Sequence, residues 1–329
     1  MHPLPCSFTA ILLALASLLA CGATRSAEIA APYVPTAPSV VERMLEIAGV
    51  RPDDYLIDLG SGDGRIVITA ARKYGTRGHG IEFEPDLVAL ARKNARAAGV
   101  SDRATFEEAD LWTADLSKAT VVTIYLLTRS TLKLRERLLE LRPGTRIVSH
   151  AGSMGEWKAD HFEMLDVRDK VRTDAPSRTY IYFWTVPARV AGTWQWSAAL
   201  GGATQKYELT LSQQFQNVTG TVRAGGFEMP LDEAKLEGER ISLAFTAEIA
   251  GQRVRQRLEG RVRNGEIVGT IVAGSTAERS VGWKAVRVGG LPAGPHAASP
   301  ARRADTLVSR SRTANGNAPC HRAALPCVV

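Results

Sequence analysis

The clearest periodicity in the chain begins near Arg51, where short apolar runs alternate with amphipathic stretches of helical spacing. Residues 55–59 form an apolar run that reads as a buried parallel strand. It breaks at Gly60-Ser61-Gly62-Asp63-Gly64, and a helix over 66–74 follows, stopped by Gly75. A second strand ends in Gly80-Ile81-Glu82-Phe83-Glu84, and Pro85 opens a helix that runs to about Ala98, with Gly99 after it. The pattern then predicts a strand ending near Asp110, a central apolar strand over 121–127 and a helix starting at Thr128 or Ser130. A strand over 146–150 follows, then an antiparallel pair over 162–167 and 179–186. Together these give a seven-stranded Rossmann-like α/β sheet spanning 53–187. Residues 28–52 supply a proline-punctuated arm and an amphipathic helix from about Ser39.

Beyond the stretch 187–192 the period changes to two, as in Thr193-Trp194-Gln195-Trp196 and Tyr207-Glu208-Leu209-Thr210-Leu211. Residues 189–288 therefore read as a small antiparallel β domain, a barrel or sandwich of seven or eight strands without helices. From 289 to 329 alanine, proline, arginine and serine prevail without periodicity, the composition of a disordered tail.

Composition changes this picture in three ways. The formal charge of +7 invites a nucleic-acid reading, but residues 289–329 carry five arginines against Asp305, leaving the remainder only mildly basic. Nucleic-acid binding is not expected. All four cysteines, Cys6, Cys21, Cys320 and Cys327, lie in the first or last segment. No thiol nucleophile of the kind pyrimidine C5 methylation needs, and no metal-ligand cluster, is expected in between. Cys320 and Cys327 are able to pair if oxidised. Residues 1–27 read as a secretory leader, with an apolar run over 8–20 too short to span a membrane. Leu18-Leu19-Ala20-Cys21 resembles a bacterial lipobox, which implies lipidation of Cys21 and membrane attachment. The expected location is export or anchoring in a bacterial envelope, or the cytoplasm if the leader does not function.

The chemistry concentrates at the glycine turn. A dinucleotide turn reads G-x-G-x-x-G, whereas this one reads G-x-G-x-G, with Asp58 just before it and Asp63 inside it. Two carboxylates repel a pyrophosphate but suit a ligand bearing an ammonium and a sulfonium. Glu82, 22 residues past Gly60, is placed to accept from ribose hydroxyls, and Asp110 from an adenine amino group. In order and spacing these stations resemble the S-adenosylmethionine-dependent class I methyltransferases. More narrowly, Tyr33-Val34-Pro35-Thr36, Gly60-Ser61-Gly62-Asp63-Gly64-Arg65, Asp110-Leu111-Trp112 and Arg146-Ile147-Val148 resemble a group of protein lysine methyltransferases. That group comprises the mitochondrial enzymes for the ATP synthase c-subunit and the adenine nucleotide translocase, with Dot1-type enzymes more distant.

The resemblance implies S-adenosylmethionine as cofactor, with contacts at Asp58, Gly60, Gly62, Glu82 and Asp110. To these we add their neighbours Ser61, Asp63, Gly64, Phe83 and Leu111. It further implies N-methylation of a protein lysine. Candidate acceptor-side residues are Tyr33, as an aromatic wall, Tyr125, lining the channel, and His150, assisting a proton. Each has a bland counterpart: linker, core aromatic and structural histidine. No Asn/Asp-Pro-Pro-aromatic motif follows the fourth strand, so adenine or glutamine amino groups lose support as acceptors. Two alternatives remain: a small-molecule acceptor held with help from the β domain, and an exported, non-catalytic binding protein.

Overall fold

The computed structural model describes residues 32–169, 177–200, 203–249, 252–273 and 279–289. The leader, the tail and their cysteines lie outside the described residues. The chain runs α1 (Pro38–Ile47), β1 (Tyr55–Leu59), α2 (Arg65–Tyr74), β2 (Arg77–Glu82), α3 (Pro85–Ala97), β3 (Ala104–Glu108) and β4 (Val121–Ile124). It continues with α4 (Thr128–Leu139), β5 (Arg146–His150), β6 (His161–Asp166) and β7 (Arg178–Thr185). These strands form one sheet in the order β3-β2-β1-β4-β5-β7-β6, parallel except where β7 pairs with β5 and β6. The order reverses between β1 and β4, which opens a crevice at the carboxyl ends of those strands.

Strand alternation supplies both faces of the sheet with core. Leu56, Val121, Val148 and Ile181 pack against Val40, Met44, Val67 and Ala91 of α1, α2 and α3. Ile57, Leu59, Ile124 and Ile147 pack against Leu134 and Leu138 of α4 on the opposite face. The layering is therefore helix, sheet, helix.

Two boundaries differ from the sequence expectation. The fourth strand stops at Ile124 rather than 127, because Tyr125 and Leu126 leave the ladder and turn into the crevice. The third stops at Glu108, which leaves Asp110 in the loop beyond it, where its carboxylate accepts from Trp112 N (2.9 Å).

A second sheet, entirely antiparallel, contains β8 (Gly192–Leu200), β9 (Ala203–Gln214), β10 (Asn217–Ala224), β11 (Phe227–Pro230) and β12 (Glu233–Glu237). Its remaining strands are β13 (Arg240–Ile249), β14 (Gln252–Arg263), β15 (Glu266–Ala273) and β16 (Arg279–Gly289). The strands number nine, not seven or eight; the two absent from the sequence pattern are β11 and β12. They are short edge strands, one ending in proline and the other alternating charges, and both lack an apolar run to reveal them. The order is β11-β10-β9-β8-β16-β15-β14-β13-β12, so consecutive strands β11 and β12 occupy opposite edges. The two residues between them bond to both sides, Leu231 N to Gly220 O (3.0 Å) and Asp232 N to Ala244 O (2.8 Å). A sheet whose edges meet at one short link is strongly curled.

The sheets share packing. Phe215, at the β9–β10 turn, is buried within the α4-side core of the first sheet, its ring parallel to Trp157 at 6.1 Å. Gln213 binds Ala188 O and Val190 N, while Gln216 reaches Lys158 O.

Candidate functional site

The crevice at the carboxyl ends of β1, β2 and β4 is a cavity of about 390 Å³, within the size range of small-ligand sites. Asp58, Gly60, Ser61, Gly62, Asp63, Glu82, Phe83, Asp110, Leu111, Tyr33 and Tyr125 all line it. Two candidates do not, namely Gly64 and His150.

The glycine turn is held by strand β2. Gly60 N and Ser61 N both donate to Ile81 O (2.9 and 3.0 Å). Glu82 fixes it further: one carboxylate oxygen accepts from Gly62 N (2.8 Å), the other from Phe83 N (2.8 Å) and Glu84 N (3.1 Å). Glu82 is thus oriented by three backbone donors and faces the cavity as an acceptor.

The turn's glycines serve different purposes. A Cβ on Gly62 would lie 2.6 Å from the Tyr33 ring, and its φ of +52° already disfavours side chains. The close approach at Gly62 is therefore to the N-terminal arm. Gly64 caps α2 in the left-handed region, and a Cβ there would meet Phe106 at 2.5 Å. Its expected role in ligand contact gives way to packing between α2, α3 and β3.

Asp58 is almost fully buried at the cavity wall. Burial, with the charges of Glu82 and Asp63 adding to it, pushes its carboxyl up to about 7 despite the bond from Thr123 Oγ1 (2.6 Å). Asp63 behaves differently. Burial alone would raise it, but its bidentate pairing with Arg65 (2.6 and 2.9 Å) holds it below the usual range. The expectation of two free carboxylates on this turn is therefore corrected, since Asp63 spends its charge on Arg65. Asp63 apart, the acids that line the cavity are Asp58, Glu82, Glu84 and Asp110.

Sequence pattern alone does not single out Arg65 as a site residue. Besides pairing Asp63, its Nη1 donates to Thr36 O (2.6 Å), which straps residues 32–36 along the cavity wall. A signal is present nonetheless: a cation in the first turn of a helix opposes the helix dipole and calls for a partner. Thr36, Trp112 and Leu126 also join the lining. Lys133 of α4 sits over the Trp112 ring at 4.2 Å, and Arg137 holds the loop through Leu111 O.

Tyr125 is half-buried, and burial raises its hydroxyl pKa. Its ring stacks on His150 with centroids 3.8 Å apart. His150 sits behind it at 6% exposure, with Nε2 at 2.7 Å from Thr179 Oγ1 and Nδ1 at 3.4 Å from Thr36 Oγ1. Burial lowers its pKa to about 4, so it is neutral at pH 7. It lies one layer behind the cavity wall, backing Tyr125.

Comparison with known proteins agrees with this geometry. Residues 58–161 match the family model described as the ANTKMT methyltransferase domain. A protein-lysine N-methyltransferase of Saccharolobus islandicus is 44% identical over 140 residues, covering 42% of this chain and 86% of that one. The chain belongs to this methyltransferase family. As a member it is an S-adenosylmethionine-dependent methyltransferase. The adenine nucleotide translocase lysine N-methyltransferase of Mus musculus is 40% identical over 130 residues, 39% of this chain and 56% of that enzyme, so little more than half of its length is matched. A solved structure titled an RNA methyltransferase from Salinibacter ruber, in complex with S-adenosyl-L-homocysteine, is 52% identical. It covers 48% of this chain and 96% of that chain, with a TM-score of 0.43.

Proposed function

We propose that this methyltransferase transfers a methyl group to the ε-amine of a protein lysine, using the cavity at the β1–β4 switch point. The observation that carries the reading is the set of acids on its wall, where Asp58 near the end of β1, Glu82 at the end of β2 and Asp110 just past β3 face one cavity. The lysine-methylating relatives support the acceptor, and the matched family domain, residues 58–161, spans all three acids.

Bound S-adenosylmethionine supplies an electrophilic methyl on a sulfonium. Ionised Asp58 neutralises the ammonium end, Glu82 accepts from the ribose and Asp110 from the adenine edge. Gly60, Ser61 and Gly62 line the ligand's path along the turn. Tyr33 and Tyr125 wall the acceptor side, with His150 holding the Tyr125 ring. Lysine must arrive without its proton, which costs roughly 4.6 kcal/mol at pH 7. Aromatic walls reduce that cost by disfavouring the ammonium. Alignment for in-line displacement contributes up to roughly 7–11 kcal/mol.

The second sheet we read as a rolled-up β barrel, supported by its two edges meeting at Leu231-Asp232. Export or anchoring through residues 1–27 and Cys21 belongs to the same proposal. Among the described residues no helix is long and apolar enough to cross a membrane.

The test is incubation of the purified chain with methyl-tritiated S-adenosylmethionine and a whole-cell extract, followed by acid hydrolysis. Label recovered as methyllysine from protein is the expected result. Label confined to nucleic acid or to low-mass compounds would overturn the acceptor assignment.

A further inference from the structure

A cleft of about 530 Å³ opens where the second sheet meets the amino ends of the first sheet's strands, away from the methyl-transfer cavity at their carboxyl ends. Arg51, Thr120 and Arg146, at or before the starts of β1, β4 and β5, form one wall together with Arg142 of the α4–β5 turn. Arg240 of β13 and Arg261 of β14 form the other, with Glu237 and Glu239 beside them. The walls are joined where the β12–β13 turn meets the first sheet. Gly238 O accepts from Ala188 N (2.8 Å), and a Cβ on Gly238 would lie 3.0 Å from Gly144 Cα. Five arginines thus share the cleft with two glutamates.

Pairing leaves most of that positive charge unspent. Arg146 is engaged, by Asp54 and by the carbonyls of Ala48 (2.8 Å) and Gly49 (2.7 Å). Glu237 turns to Lys235 (2.7 Å), although it stands directly opposite Arg240 in the ladder. Glu239 binds Arg263 (2.9 Å) and reaches Arg261 only at 4.0 Å. Among the described residues, no hydrogen bond or ion pair engages the guanidinium of Arg51, Arg142 or Arg240, and all three side chains are exposed. Arg240 and Arg261 moreover lie directly opposite each other in the ladder, a like-charge pair that costs stability when nothing anionic sits between them.

We infer that this cleft binds a small molecule carrying a diphosphate or two phosphate groups, which bridges the two sheets. A guanidinium presents paired N–H donors that match the oxygens of a phosphate. Such forks stand on both walls, Arg51 and Arg142 on the first sheet's side, Arg240 and Arg261 on the second's. Positive charge on two walls calls for two anionic centres rather than one, and the volume is that of a small-molecule site. A free phosphorylated compound and a lipid headgroup share this chemistry. The site is separate from the methyl-transfer cavity and does not rest on the acceptor assignment.

The experiment titrates the full chain with sodium pyrophosphate by calorimetry at low ionic strength. In parallel the chain is sedimented with phosphatidylcholine vesicles that carry phosphatidylinositol bisphosphate. Saturable one-to-one binding is expected, with a higher melting temperature in the bound state. Arg142→Gln and Arg240→Gln, on opposite walls, should each weaken it about tenfold. Arg253→Gln removes the same charge from an exposed position of β14 outside the cleft and should leave binding within about twofold of wild type. Unchanged S-adenosylhomocysteine affinity in all three variants confirms that they fold. Binding of pyrophosphate but not of vesicles assigns the site to a free phosphorylated molecule; vesicle binding lost in the two cleft variants assigns it to a headgroup. The inference is overturned if neither probe binds saturably, if Arg253→Gln weakens binding as much as the cleft variants do, or if a single-stranded oligonucleotide displaces pyrophosphate at lower concentration.

Discussion

Asp58 sets a conflict between stability and binding that a single atom exchange can expose. With its folded pKa near 7 and an unfolded value near 3.9, the folded chain holds an extra proton between those limits. Stability therefore falls as pH rises through that window, by roughly 4 kcal/mol in the ligand-free protein. Asp58→Asn removes the loss: its melting temperature should exceed that of wild type by several degrees at pH 8, converging toward pH 4. The same variant should bind S-adenosylhomocysteine at least thirtyfold more weakly, a loss of about 2 kcal/mol or more, read by calorimetry. In wild type that affinity should climb as pH rises toward and past 7, where the carboxylate becomes available. Gly62 offers a second check. Gly62→Ala should weaken cofactor binding by displacing Tyr33, and in a Tyr33→Ala background the further loss should shrink to the backbone cost, about 1–2 kcal/mol. Asp58, Glu82 and Asp110 were legible in the sequence because they stand at recognisable spacing around the glycine turn, at or near the ends of successive strands. Thr123, Thr36 and Arg65 were not, because their partners are distant in sequence or cross the turn, and only the fold brings them together.

At the scale of elements, the α/β alternation was readable because β1, β4 and β7 carry apolar runs and most helices have glycine or proline at an end. β12 was hidden by its charges, and β11 by its shortness and closing proline. Those charges have a use, since edge strands with unpaired backbone invite intermolecular pairing. Replacing Glu233, Lys235 and Glu237 together by valine should produce concentration-dependent association, measured by light scattering, with little change in the monomer's circular dichroism. The N-terminal arm depends on one guanidinium. Arg65→Ala frees Thr36 O and removes the guanidinium paired with Asp63, so limited proteolysis should cut within residues 32–37 at least several times faster than in wild type.

For the molecule as a whole, Phe215 joins two sheets that the sequence pattern reads as separate domains. Buried at 4% exposure among Trp157, Trp184 and Ile147, it makes the second sheet part of the first sheet's core. Phe215→Ala should cost about 3–5 kcal/mol and split one calorimetric transition into two. The link at Leu231-Asp232 has a different outcome. Every strand on either side of it keeps its own ladder, and β16 still pairs with β8 across the gap. Cutting the backbone there severs a covalent thread but no ladder, so a chain divided after residue 231 should be able to reassemble from its two pieces. The curled sheet would then act as a clasp, its halves finding each other through the β8–β16 seam.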